Sequence, residues 1–286
     1  MTVLNTQISC FDTTWNPAVG CSKISEGCDN CYAEAIARRF FGGFEVRLHP
    51  ERLTETRKFK PLIGADGFRV PRRVFVNSMG DLWHQEIPDR FIDDVFGAIA
   101  RHPHTVFVCL TKRAGRMLAY GRRRWKAGVP ENIWLGVTAE NDAVHGRIDA
   151  LRRLKAAAGP FTAYVNAEPL LGPISRHDYT DIDWVGVGGE AGARARPCAP
   201  DWVRRVIASA HDAGAAVWFK SWGRWENNPN WARARGRTKK ARKQDLIARG
   251  LELLPEEHGG ATLDGALVQE LPPGFARLRD RLRRAG

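Results

Sequence analysis

"TVFVCLTKRAGRMLAYGRRRWKAG", Thr105 to Gly128, begins as a short apolar run rich in β-branched residues and continues into a segment with helical spacing that ends at Gly128. The unit is a strand followed by a helix, and it recurs in both directions along the chain. "VFVN" at Val74, "IWLGV" at Ile133, "FTAYVN" at Phe161, "DWVGVG" at Asp183 and "AVWFK" at Ala216 are each of strand length. Between the runs, "DRFIDDVFGAIARH", "NDAVHGRIDALRRLKAAAG" and "DWVRRVIASAHDAG" carry helical spacing, two of them ending at Gly. Alternation of this kind requires a mostly parallel sheet, open or closing toward a barrel, with helices outside it. The expected fold is therefore α/β, a partial TIM-like (β/α) barrel spanning residues 1–221. Residues 222–286 form a basic, Trp-rich C-terminal extension packed on it.

The 286 residues are 43% hydrophobic, enough for a sizeable core. No apolar run reaches membrane-spanning length and the N-terminus has no secretory pattern, so the expectation is a cytoplasmic protein with no membrane partner. Six cysteines are too sparse for a disulfide scaffold. Three of them, Cys21, Cys28 and Cys31, fall on one loop in C-x6-C-x2-C spacing, while Cys10, Cys109 and Cys198 are scattered. Thiolates suit both zinc and iron–sulfur clusters. A structural zinc site would have to recruit a fourth ligand such as Cys10, His49 or something more distant. A four-iron cluster on three thiolates leaves one iron open to a small molecule. Spacing alone leaves the two readings level.

Polar residues follow nearly every strand run: Asn77, Ser78 and Asp81; Thr111, Lys112 and Arg113; Glu140; Glu168; Glu190; Lys220. Strand C-terminal ends are where parallel α/β folds build their sites. The buried carboxylates Glu140, Glu168 and Glu190 need Lys112, Arg113, Lys220 or a cationic ligand as partner.

The motifs "TWNPAVGCSKISEGCDNCYAE", "VFVNSMGDLWHQEIPD", "LTKR", "IWLGVTAEN", "EPLLGPI", "WVGVGGEAGARARP" and "WFKSWG" span Phe11 to Pro273. On these the chain resembles the radical SAM superfamily, and within it a phage and bacterial three-Cys-motif family. The resemblance implies a 4Fe–4S cluster on Cys21, Cys28 and Cys31 and S-adenosylmethionine (SAM) on the open iron. It implies an external one-electron donor such as flavodoxin or ferredoxin, and cleavage of SAM to a 5′-deoxyadenosyl radical. By that resemblance Tyr32, Asn77, Ser78 and Asp81 are the residues for SAM, with Thr111, Glu140 and Glu168 lining the barrel mouth. The loop departs from the usual radical SAM C-x3-C-x2-C in its doubled first gap. The Gly188–Gly189–Glu190 triplet lies after the sixth strand instead of the second.

Lys and Arg exceed Asp and Glu by 44 to 32, a net charge of +12 that favours polyanions. In "SWGRWENNPNWARARGRTKKARK", Ser221 to Lys243, three tryptophans interleave with cations, which reads as a loop offering phosphate attraction and flat surfaces for unstacked bases. DNA is the expected partner of a monomer, and the expected reaction resembles that of spore photoproduct lyase, repair of a thymine photolesion. Cys198 and Tyr164 are the candidate hydrogen donors, and Cys109 the candidate core residue. Two alternatives stand beside this: a radical SAM enzyme that modifies a nucleobase or tRNA, and a zinc-stabilised nucleic-acid-binding protein without catalysis.

Overall fold

Each apolar run becomes a strand of one sheet. The computed structural model describes residues 3–5 and 8–284. Its main sheet contains β1 (Val3–Asn5), β2 (Thr13–Trp15), β3 (Arg72–Val76), β4 (Thr105–Thr111), β5 (Ile133–Thr138), β6 (Ala163–Ala167), β7 (Trp184–Gly188) and β8 (Ala216–Ser221), in that spatial order. β1 pairs antiparallel with β2, whereas β2 to β8 are all parallel. These seven parallel strands curl into a half-barrel, a partial TIM-like (β/α) architecture. Helices α1 (Tyr32–Phe41), α2 (Asp89–Ala100), α3 (Ala114–Arg124), α4 (Gly146–Ala158) and α5 (Pro200–Asp212) follow β2, β3, β4, β5 and β7. Between β6 and β7 the chain makes no helix.

Every residue of β5 and β7 is buried, as a parallel strand covered on both faces requires. Alternation sorts side chains between two clusters. Phe107, Cys109, Leu135, Val137, Val165, Val185 and Val217 pack outward against the helices. Val106, Val108, Trp134, Tyr164, Trp184 and Trp218 face the concave side with Cys10 and Phe11. There Trp184 stands 4.6 Å from Tyr164, 5.7 Å from Trp134 and 6.2 Å from Phe11, ring centre to ring centre. Gly186 on β7 makes room for this layer, because a Cβ there would run into the Tyr164 hydroxyl and come within 2.6 Å of Asn166 Oδ1. The aromatic layer fills the interior around the first half of each strand and leaves the C-terminal ends to polar side chains.

The remainder of the chain wraps this frame. Phe219 donates to Val268 O at 2.7 Å and Glu270 N to Val217 O at 2.8 Å, so residues 268–270 run antiparallel along β8 and cover a sheet edge. Helix α7 (Pro273–Arg284) buries Leu278 in the concave cluster. "RTKKARK", expected as loop, instead enters α6 (Lys239–Ala248), where the Thr238 side chain caps Ala241 N at 3.1 Å. No helix among the described residues is long and apolar enough to cross a membrane.

The helix-free β6–β7 connection is anchored by His177, buried between Asn141 O (3.1 Å) and Tyr179 Oη (3.2 Å). Burial holds its pKa below the ordinary 6.5. Below pH 6.5 the unfolded chain therefore takes up a proton that the folded chain refuses, and stability falls as pH drops toward the folded pKa. Replacing His177 with Gln should make the urea midpoint less dependent on pH between 7 and 5 than in the wild type; identical slopes would show that this imidazole does not titrate on unfolding.

Candidate active site

Gly20 pairs with Gly80 in an isolated bridge, and its backbone, with φ at +84°, turns the chain into the cysteine loop over the strand ends. The loop makes a 3-10 turn at Glu26–Cys28 and reaches Cys31, which caps α1. All three thiols are partly buried and line one cavity of about 410 Å³, together with Ser22, Glu34 and Arg38. Here the structure gathers the three cysteines singled out by spacing.

Three carboxylate–arginine pairs clamp the loop to the sheet. After β3, Asp81 takes Arg113 Nη1 at 3.1 Å, and the same nitrogen reaches Cys21 Sγ at 3.2 Å while Nη2 donates to Ser22 O and Oγ, both at 2.9 Å. After β5, the fully buried Glu140 pairs with Arg147 at 2.8 Å, accepts from the Ser25 hydroxyl, and lies 3.3 Å from Gly27 N. After β7, Glu190 takes Arg196 Nη2 at 2.6 Å and Asn30 Nδ2 at 3.0 Å, and Arg196 also donates to Glu26 O. Burial works against the Glu190 carboxylate, but these donors outweigh it and hold its pKa below the ordinary value. The Cys21 thiol is pushed up by burial and by Asp81, and partly pulled back by Arg113.

These contacts give the expected site residues their partners. Asp81, placed at the SAM methionyl end, has its oxygens taken by Thr111 Oγ1 (2.7 and 2.8 Å), Trp83 N, Lys112 N and Arg113. Thr111 is likewise engaged, donating to Asp81 and accepting from Arg113 N. Glu140 holds the cysteine loop and does not stand free at the mouth, and its partner is Arg147; that of Glu190 is Arg196, neither of them on the expected list. Only Glu168 has the expected cation, Lys220. Burial pulls the Lys220 ammonium down, yet Glu168 more than offsets it and leaves its pKa above the ordinary value.

Tyr32, half exposed at the start of α1, donates to Ser78 O at 2.7 Å, and Ser78 Oγ reaches Asn16 Oδ1 at 3.2 Å. Asn77 is buried with φ at +58°, and its Nδ2 has no hydrogen-bond partner among the described residues. An orphaned buried donor costs about 1–3 kcal/mol, a penalty that a bound acceptor would remove.

The two candidate hydrogen donors separate. Tyr164 lies within the concave cluster and donates to Asn166 Oδ1 at 2.8 Å. Cys198 does not share that space: it belongs to the outer cluster, behind the sheet, where burial pushes its thiol up to about 12. The thiol on the concave side is Cys10, also pushed up to about 12 by burial, with Lys220 and Glu168 near enough to act on it electrostatically. Sequence reading missed it because a cysteine before the first long apolar run has no pattern around it.

The tryptophans are corrected too. Trp222, Trp225 and Trp231 are all buried; Trp222 donates to Thr262 O at 3.1 Å, and Trp225 packs against Trp231 at 5.1 Å. They anchor the segment and leave no face for a base. Arg242 lies over Trp231 and Lys243 over Trp225. Arg235, Arg237, Lys239 and Lys240 are exposed, and among the described residues no carboxylate lies within ion-pair distance of them.

Thiolates suit both zinc and iron–sulfur clusters. The three thiols share one cavity with Ser22, Glu34 and Arg38, and among the described residues no three His, Cys, Asp or Glu side chains are gathered closely enough to hold a single ion.

Residues 5–272 match the model of a family described as protein of unknown function (DUF5131). No curated protein matches the chain. Among solved structures, the chain is similar to a spore photoproduct lyase double mutant with bound AdoMet and dinucleoside spore photoproduct, at 12% identity and a TM-score of 0.40. The match covers 65% of this chain and 58% of that one.

Proposed function

We propose that this chain, which belongs to the DUF5131 family, is a radical SAM enzyme acting on nucleic acid, with repair of a thymine photolesion in DNA as its reaction. The observation that carries the reading is the set of three thiols on one loop, gathered around one cavity and clamped over the C-terminal ends of a parallel half-barrel. Cys21, Cys28 and Cys31 would hold a 4Fe–4S cluster, with no fourth protein ligand required. When bound, the cluster and SAM supply one-electron cleavage of the sulfonium and a 5′-deoxyadenosyl radical.

The chain's own residues do the rest. Asn77 Nδ2 offers a donor without an acceptor among the described residues, and Tyr32 closes the mouth through Ser78. Glu168 and Lys220 present paired charges at the ends of β6 and β8. Tyr164 and Cys10 are buried in the concave aromatic layer below the strand ends, and a hydrogen donated from within the barrel would come from one of them.

A lesion is easier than an intact base to draw out of a duplex, because its stacking is already impaired. The exposed cations at Arg235, Arg237, Lys239 and Lys240 would contact the phosphates. Replacing Arg235 and Lys239 together with Ala should weaken DNA binding and reduce its salt slope by about two, while SAM cleavage without DNA is unchanged. An unchanged salt slope would remove this segment from the interface. The reaction itself is tested by anaerobic incubation with SAM, dithionite and irradiated DNA. Regenerated thymine supports repair, and SAM cleavage without thymine favours modification of a nucleobase or tRNA.

A further inference from the structure

The three thiols are not equivalent. Among the described residues Cys28 Sγ has only the Ser25 hydroxyl, at 3.9 Å, whereas Cys21 Sγ receives a guanidinium N–H at 3.2 Å. That guanidinium is fixed on every side. Arg113 Nη1 is shared between Cys21 and Asp81, and Nη2 between Ser22 O and Ser22 Oγ. Asp81 is itself pinned by Thr111 Oγ1, Lys112 N and Trp83 N. His84 Nε2 also meets Ser22 Oγ, at 2.8 Å, and both Arg113 and Asp81 are largely shielded from solvent. A planar fork held by a pinned carboxylate loses little freedom when it binds a sulfur.

We infer that Arg113 is a positioning residue for Cys21, holding this one sulfur in place as a cluster ligand and setting the potential at which the cluster accepts its electron. The inference rests on the radical SAM reading of the loop. Reduction by an external one-electron carrier adds one negative charge to the cluster and makes or breaks no bond. A fixed cation on a ligand sulfur therefore favours the reduced form and raises the midpoint potential, as hydrogen bonds to cluster sulfurs do. Asp81 orients Arg113, while its own charge opposes added negative charge at Cys21.

The test compares full-length wild type, Arg113→Gln, Arg113→Lys and Asp81→Asn, each reconstituted anaerobically with iron and sulfide. It reads iron and sulfide content, melting temperature before reconstitution, and midpoint potential from the EPR signal in a dithionite titration. Arg113→Gln should load the cluster with its midpoint shifted to lower potential and Arg113→Lys should recover part of the shift, whereas Asp81→Asn, which removes a negative charge beside Cys21, should not lower it. If Arg113→Gln loads no iron while melting as the wild type does, the positioning role is supported directly. If it melts early, Arg113→Lys decides, by a smaller shift to lower potential. Loaded variants with the wild-type midpoint overturn the role of Arg113 alone. A wild type that takes up no iron–sulfur cluster overturns the reading of the loop, and this role with it.

Discussion

Replacing Cys28 with Ala is expected to remove iron and acid-labile sulfide from the protein and to reduce SAM cleavage to the level of cluster-free protein. Cys28 is partly exposed on the loop and makes only the long contact to Ser25, so the fold does not depend on it. The metal-free variant should unfold within about 0.5 kcal/mol of metal-free wild type. Cys109→Ala is the informative control. Its side chain is buried in the outer cluster, so truncation should lower stability while cluster content is kept. Measured together by iron assay and urea denaturation, the two variants separate a ligand from a core residue. A Cys28→Ala protein that still carried the full complement of iron would end the ligand assignment.

The second large effect is expected at Glu140. The carboxylate is fully buried and its partner Arg147 nearly so, so Glu140→Ala leaves a buried guanidinium without its counter-charge. Loss of one partner of such a pair costs about 3–5 kcal/mol, whereas replacing both by apolar residues of similar volume is often neutral. The double variant Glu140→Leu with Arg147→Met should therefore recover much of the stability lost by Glu140→Ala. It should not recover cluster loading, because the Ser25 hydroxyl and Gly27 amide have still lost their acceptor and the middle of the cysteine loop is untethered. Stability and loading that return together would mean that Glu140 acts only through the fold.

The contrast between Glu140 and the strands shows what the chain makes legible. "TVFVCL", "IWLGV", "DWVGVG" and "AVWFK" became β4, β5, β7 and β8 because a strand buried on both faces has to be continuously apolar, a local property. The cysteine loop was legible for the same reason, its three cysteines lying within eleven residues of one another. What the strand-end residues do was not. Asp81, Glu140 and Glu190 sit where catalytic groups sit in such folds, and nothing local distinguishes a residue that meets a ligand from one that ties down a loop. The partners decide it, and Glu140 meets Ser25 from 115 positions away, Glu190 meets Asn30 from 160. The tryptophans misled for a related reason. Interleaved Trp and Arg fit a base-stacking surface, but they also fit a segment that buries its rings and keeps its cations outside, and Trp222, Trp225 and Trp231 do the latter. Cys198 follows "GARARP" in the sequence yet ends behind the sheet, because α5 begins two residues later and draws it into the outer core.

The central claim concerns the atoms that fill the space between Cys21, Cys28 and Cys31. X-ray absorption at the iron and zinc edges of full-length protein purified without oxygen reads those atoms directly. Iron with sulfur and iron neighbours is expected, with little zinc and a nitrogen or oxygen ligand gained when SAM is added. Stoichiometric zinc in a closed shell of four protein ligands, unchanged by SAM, would contradict that claim.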